Sequence, residues 1–503
     1  MRGLGRPLIV GCIAVTALLT AATPASAGHK SDPRSKNMHP LGHTGDNRPV
    51  VNFEEAFFTD LAFQGKIAYQ GTWIGGFRTV NIAAPGKPKV LAEVDCGVEQ
   101  GDIGVYRDLV FRSIDLPVPA DTVAETCTDE FADGAGFEGL QIFKVDDPAS
   151  ASADDLVAAV ATDCGSHTHT VVPDPANNRV LIYIANSSTD PTYTAGETVW
   201  GHECTAEHNK FQIVAVPLAA PQDAEVIADV PLGLDPDATH ASCHDIGVLL
   251  NGDTKRALCA AGHAVLFDIS DPAAPVKLTD FTDPAVTTAW HSAAFSWDGS
   301  IGVMGWEPGG GIFPRCMATG SPDPGDELGV QTDDMKSIFF FDTTTGAVLG
   351  KWVLPRPQTA LENCTIHNYT IVPNRKRNLL TVGNYQAGTW VVDFTNPARP
   401  QTVGWSDPPP IPCCTSPFLP LSLGGAWGSY WYNGFIYESN ITEGLNVFRL
   451  SGSANAGARK VPLLNPQTQI APWADVSFRR RGGARGAPPS AGKPVDKRGK
   501  GSH

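Results

Sequence analysis

Short apolar strands alternate with turn residues along this chain in self-similar units that return about every 40 to 60 residues, and that periodicity limits the fold more than any other feature. The clearest unit runs Asp60–Tyr69, Gly76–Ile82 and Pro88–Val94, three Val/Ile/Phe/Tyr-rich runs bounded by Gly, Pro, Asn and Asp. Its third strand and turn recur as Val265–Pro275 and Val391–Pro400, where Asp/Asn-Pro and a later Pro set the turn into an outer strand. Weaker copies are Ile142–Pro148 and Phe339–Gly346. Helical periodicity is nearly absent, so the class expected is all-β. The units fall at about 57–95, 104–150, 164–230, 241–281, 289–355, 364–405 and 425–452. Seven four-stranded units of this kind predict a closed seven-bladed β-propeller with a central channel. The last unit lacks an outer strand, for which Pro49–Phe53 and Lys460–Leu464 are the candidates. Long insertions, such as Ser113–Phe137 and Gly309–Met335, sit where a rigid ring carries function.

Four histidines hold one register within these units. His167, His244, His291 and His367 each stand seven residues before a turn-opening Asp174, Asn251, Asp298 or Asn374. Each frame reads as innermost strand, turn, second strand, which brings the four imidazoles to equal height at one channel end. Neutral imidazole is the commonest transition-metal ligand, so these four are the candidate ligands for Fe, Cu or Zn. Glu307 ends a neighbouring strand and is the candidate catalytic base. His169, His263, Asn384, Gln386, Glu438, Trp73, Trp306 and Trp427 are placed near the same level as a ligand pocket, with Asn186 beside them. The bland alternative is that these histidines hydrogen-bond between blades, because strand side chains point toward neighbouring blades.

The ends of the chain and its cysteines set the compartment. Residues 1–27 read as a secretory signal, with Arg2 and Arg6, an apolar stretch from Leu8 to Leu19, and small residues at Ala25-Ser26-Ala27. No other segment approaches the roughly 20 apolar residues that span a bilayer. Removing Cys12 with the signal leaves ten of the eleven cysteines, which in an oxidising compartment favours disulfides over thiol chemistry. Cys243 and Cys259 flank the Asn251-Gly252 turn symmetrically; Cys164 with Cys204, Cys316 with Cys364 and Cys96 with Cys127 follow by proximity, leaving Cys413 and Cys414. A net charge of −16 argues against nucleic-acid binding. Residues 28–48 are expected as an N-terminal extension, 49–465 as the propeller, and 466–503 as a disordered basic tail. A secreted or envelope-located monomer is the expectation.

The unit ending Asp268-Ile-Ser-Asp-Pro-Ala-Ala-Pro275 resembles the LVIVD repeat, and the chain is similar to exported bacterial LVIVD-repeat proteins over about residues 50–452. Cys243-His-Asp-Ile246, Trp290-His-Ser-Ala293, Pro314-Arg-Cys316, Glu362-Asn-Cys364, Gly383-Asn-Tyr-Gln386 and Tyr430-Trp-Tyr-Asn-Gly434 carry the resemblance. It implies a β-propeller outside the cytoplasm and no particular activity, because the fold hosts enzymes and binders alike. Two functions follow as expectations. One is a module that binds a small molecule, glycan or envelope partner at its channel mouth. The other is a metal-dependent oxidoreductase or hydrolase built on the four histidines.

Overall fold

The structure is a computed structural model that describes residues 29–44, 57–73, 75–96, 101–118, 127, 137–186, 198–199, 202–203, 209–235, 241–323, 328–411 and 423–474. Among these, regular structure is β-strand with short 3-10 turns and no α-helix. Among the described residues five sheets of four or five strands are separate, Thr198–Val199 and His202–Glu203 form a two-stranded ribbon, and an eight-stranded sheet joins two more units through a parallel pairing of Asn368–Ile371 with Ala426–Tyr432. The first strands of the units are Phe58–Gln64, Ile103–Tyr106, Thr168–Asp174, Asp245–Asn251, Trp290–Phe295, Asn368–Ile371 and Ala426–Tyr432. They touch one another in that order, and the last touches the first, so they encircle a common axis. This is a β-propeller arrangement. The second unit runs on to Ala161, because its outer strand is Leu156–Ala161.

Burial explains the sequence pattern. Arg179–Ala185 is a second strand packed between neighbouring sheets on both faces, so six of its seven residues are buried and it reads as a continuous apolar run. The outer strand Glu225–Pro231 has one face toward solvent and alternates. The recurrent Asp-Pro ending is a series of side-chain-capped turns: Asp268 Oδ1 accepts from the Ser270 amide at 2.7 Å, Asp393 Oδ1 from Thr395 at 2.9 Å, and Asp147 Oδ1 from Ala149 at 3.0 Å.

The ring closes through a strand that neither sequence candidate supplied. Met38–Thr44 pairs antiparallel with Gly444–Leu450, with His43 opposite Asn446. Pro49–Phe53 lies outside the described residues, and Leu463–Leu464 instead joins the inner edge of Phe58–Gln64. From there the chain crosses one end of the axis, and Thr468–Ile470 pairs parallel with Asp245–Asn251. Side-chain amides satisfy first strands that have no inner neighbour: Asn465 bonds the Val105 N–H at 2.7 Å and its carbonyl at 2.9 Å, and Gln469 does the same at Phe295 at 2.8 and 2.9 Å. Residues 466–474 are therefore a plug rather than the start of a tail; the basic residues from Arg479 onward lie outside the described residues.

Disulfides Cys96–Cys127, Cys243–Cys259 and Cys316–Cys364 form as the spacing suggested. Cys164 is also disulfide-bonded, while Cys204, Cys413 and Cys414 lie outside the described residues. These bonds point to an oxidising compartment. Among the described residues no helix is long and apolar enough to cross a membrane.

Candidate metal centre at the channel mouth

Opposite the plug, the four register histidines meet. Each stands at or just before the start of a first strand in four consecutive units, so the turn-defined register does place them at one height. Ring centres are 4.3 Å apart for His167 and His244, 3.9 Å for His244 and His291, and 4.5 Å for His291 and His367. Such closeness requires first strands to approach tightly. Gly247 permits it, since a Cβ there would sit 2.3 Å from the Ala293 carbonyl oxygen.

Each imidazole has a distinct environment. His367 donates from Nδ1 to the Trp427 carbonyl, which leaves Nε2 as the bare lone pair facing inward. His291 is 4% exposed, and its Nδ1 has no hydrogen-bond partner. His167 Nδ1 pairs with Asp115 Oδ2 at 2.7 Å while its Nε2 lies 2.9 Å from His244 Nε2. Burial and the neighbouring imidazoles hold His244 and His291 far below the ordinary histidine range, and burial pulls His367 down to about 3. For His167 burial acts the same way, but the Asp115 charge and hydrogen bond outweigh it and the net shift is upward. Three neutral imidazoles thus sit beside one that favours its proton.

Glu307 stands between His291 and His367. Its Oε2 is 3.6 Å from His291 Nε2 and its Oε1 is 3.8 Å from His367 Nε2. Burial pushes the Glu307 carboxyl up to about 8, against a hydrogen bond donated by the Tyr385 hydroxyl to Oε1. Ligand atoms about 2.1 Å from one ion in a tetrahedral set lie about 3.4 Å from each other. The two observed spacings exceed that by a few tenths of an ångström, and the ligand atoms of His291, Glu307 and His367 all lie within 4.8 Å of one another, a grouping that could hold an ion. His244, Asp245 and His291 form a second grouping whose ligand atoms all lie within 4.8 Å of one another.

Tyr385 is held with φ 46°, a left-handed conformation unusual for a tyrosine. Paired backbone hydrogen bonds with Ala426, at 2.9 and 2.8 Å, fix it there. Its ring then lies 4.6 Å from His367. The Gly309–Gly311 insertion covers Glu307 from above, and the Cys316–Cys364 disulfide ties that insertion to the strand entry of His367. A cavity of about 480 Å³ opens over the cluster. Its lining combines His167, His244, His291, Glu307 and His367 with the apolar Phe57, Trp73, Leu423, Trp427 and Ile441, and the Trp427 ring lies 4.5 Å from that of His367.

Several expected pocket residues lie elsewhere. His169 is one pleat repeat deeper along its strand and is buried against Ser113 Oγ, 2.8 Å from its Nδ1. His263, at a turn tip, faces outward to Asp280 at 3.1 Å. Trp306 pairs in register with Trp290 and packs into the core, its Nε1 donating to Thr288 at 2.9 Å. Asn384 and Gln386 belong to the tight turn before Gly388, where Gln386 is taken up by Asn363 at 2.8 Å. Glu438 sits mid-strand and is enclosed by Asn440, Asn446 and Thr389. Asn186 donates to the Asp163 carbonyl at 2.7 Å. Strand alternation and blade-to-blade packing send His169, Trp306 and Glu438 between sheets rather than into the mouth. Trp73 and Trp427 do line it. Asp115, Tyr385 and Asp245 were not anticipated; Asp245, directly after a register histidine, was the one with a visible signal.

No protein-family model matches the chain, and no curated protein does. Two solved structures similar to it are the computationally designed Ika8 protein, at 11% identity over 81% of this chain and 98% of that one with TM-score 0.41, and a candidate 6-phosphogluconolactonase from Bacteroides fragilis, at 10% identity over 83% and 98% with TM-score 0.45. At these scores neither carries an argument about this chain's activity.

Proposed function

We propose that this chain is an exported LVIVD-type propeller whose mouth is a mononuclear metal centre that acts on a small, largely apolar molecule. The joined sheet counts as two blades in this reading, which makes the ring seven-bladed. His291, His367 and Glu307 are the ligands, and His167 with Asp115 holds a proton beside them that it shares with His244. Two imidazoles and a carboxylate with an open side are the donor set of non-haem iron oxygenases, and of zinc hydrolases. The ion would supply Lewis acidity or a redox couple at that open side.

The observation that carries the proposal is the Glu307 carboxylate lying between two imidazole Nε2 atoms at 3.6 and 3.8 Å. Placed there, with Oε1 also accepting from the Tyr385 hydroxyl, Glu307 serves as a ligand in this reading rather than as a free base. The cavity over the cluster is also lined by Trp73, Trp427 and Phe57, which suits an apolar or aromatic substrate body. That aromatic wall also supports the second reading, a binding module for a glycan or envelope ligand.

Cobalt(II) titration tests the first reading. The parent should give the intense visible bands of a four- or five-coordinate site, and His367→Ala should abolish them. Cobalt spectra identical to the aquo ion in the folded parent would overturn it. Ligand binding that survives chelation and falls with Trp427→Ala would favour the binding module.

A further inference from the structure

Tyr385 reaches the mouth centre at a conformational cost. Its φ of 46° is left-handed, which a tyrosine adopts only when its surroundings impose it. They do so from two sides. Within its own turn, the Gly388 N–H donates to the Tyr385 carbonyl at 2.8 Å. Across the seam to the next unit, Tyr385 and Ala426 exchange both main-chain hydrogen bonds. Gly425, at φ 81°, permits that approach, because a Cβ there would overlap the Tyr385 and Gln386 main chains. The Tyr385 ring is thereby buried, 4.6 Å from His367 and nearly perpendicular to Trp427.

The hydroxyl at its tip meets a second constraint. It donates to Glu307 Oε1. Gly311, at φ 66°, lies over both partners: a Cβ there would come 2.7 Å from Glu307 Oε1 and closer still to the Tyr385 hydroxyl. The insertion that carries Gly311 is held down by the Cys316–Cys364 disulfide. The end of one strand, an insertion and a left-handed turn thus converge on one carboxylate oxygen. A buried acid needs a hydrogen-bond donor in any case. It does not need one strained into place and closed in by a glycine turn.

The consequence falls on the other oxygen. With Oε1 occupied, the carboxylate has Oε2 left to give, and that atom is 3.6 Å from His291 Nε2. Two imidazoles and one carboxylate oxygen fill three positions of a tetrahedral ion and leave the fourth open. A carboxylate free to turn would chelate through both oxygens and occupy that position. Hydrogen bonds to a ligating side chain fix its orientation and tune the ion.

We propose that Tyr385 is a positioning residue for the mouth ion: its hydroxyl, closed in by Gly311, restricts Glu307 to coordination through Oε2 and so keeps a position open for substrate. Tyr385 acts through Glu307 and makes no bond to the ion. The proposal rests on the metal centre proposed above.

The test is a cobalt(II) titration of the untagged full chain and of its Tyr385→Phe, Gly311→Ala and double variants, each first made metal-free. Tyr385→Phe should bind cobalt about 10- to 100-fold more weakly. Its visible bands should also lose intensity per bound ion, because chelation by both Glu307 oxygens raises the coordination number. A purely structural hydrogen bond would lower stability without changing the bands. Gly311→Ala should act in the same direction, and should cost less in the Tyr385→Phe background than alone, since both substitutions disturb one contact. Affinity equal to the parent's, or unchanged bands, in folded Tyr385→Phe overturns the positioning role alone. A folded parent that binds no cobalt overturns the metal centre itself, and this role with it. Should the variants misfold, X-ray absorption on the cobalt-loaded parent decides. Coordination by one Glu307 oxygen is expected there, and chelation through both overturns the proposal.

Discussion

Replacing His291 by Leu separates a ligand site from a structural histidine by the sign of its effect. His291 is 4% exposed, its Nδ1 has no partner, and its Nε2 is 3.6 Å from Glu307, too far for a hydrogen bond. The substitution therefore breaks no hydrogen bond of this side chain. It removes the desolvation cost of unpaired polar atoms, about 1–3 kcal/mol. Leucine is close in volume, so overpacking costs should stay below roughly 1.5 kcal/mol. The metal-free variant should be more stable than the metal-free parent by about 1–2 kcal/mol. At about 2–4 °C per kcal/mol for domains of 150–250 residues, and less for a larger one, that is a rise of roughly 2–4 °C. Scanning calorimetry on chelator-treated protein, with disulfides intact, reads it directly. With metal present the order should reverse, because binding stabilises only the parent. A metal-free variant that melts several degrees below the parent would refute the reasoning, since the imidazole would then be holding blades together.

Other consequences follow from the same geometry. Gln469→Ala should strip partners from both the Phe295 N–H and carbonyl and cost about 2–4 kcal/mol, read as a lowered melting temperature with metal content unchanged. Glu138 is pushed up to about 8 by burial and by Asp115 and Asp163. A raised carboxyl favours its neutral form in the fold, so stability is lost as pH rises from the unfolded value near 4.5 toward 8. Glu138→Gln should therefore gain on the parent progressively across that window, checked by melting temperature at pH 5, 6, 7 and 8. The Cys316→Ser/Cys364→Ser pair should free the insertion above Glu307, so that metal affinity falls at least tenfold in a competition assay while the ring still folds.

The repeat period made the β-propeller legible because several units spend similar turn chemistry, an Asp-capped corner after the third strand, at the same place. Counting back seven residues from the inner turn fixed a height along each first strand, and His167, His244, His291 and His367 converge for that reason. Side-chain direction was not legible in the same way. Trp306 and Glu438 end or interrupt second strands at the right level, yet their faces turn between sheets, which depends on pairing register rather than on distance from a turn. His169 shares a face with His167 but lies a pleat repeat deeper. Tyr385 reaches the site through a left-handed turn that no local propensity announces, and Asp115 through an insertion. The plug was hidden because Asn465 and Gln469 look like loop residues; their role exists only where first strands lack an inner neighbour.

Elemental analysis of the untagged mature protein, purified without chelator, tests the central claim most directly, with the His291→Ala/His367→Ala variant alongside. The account expects one more equivalent of transition metal in the parent than in the variant, both folded by circular dichroism. Equal metal content in the two proteins would contradict it.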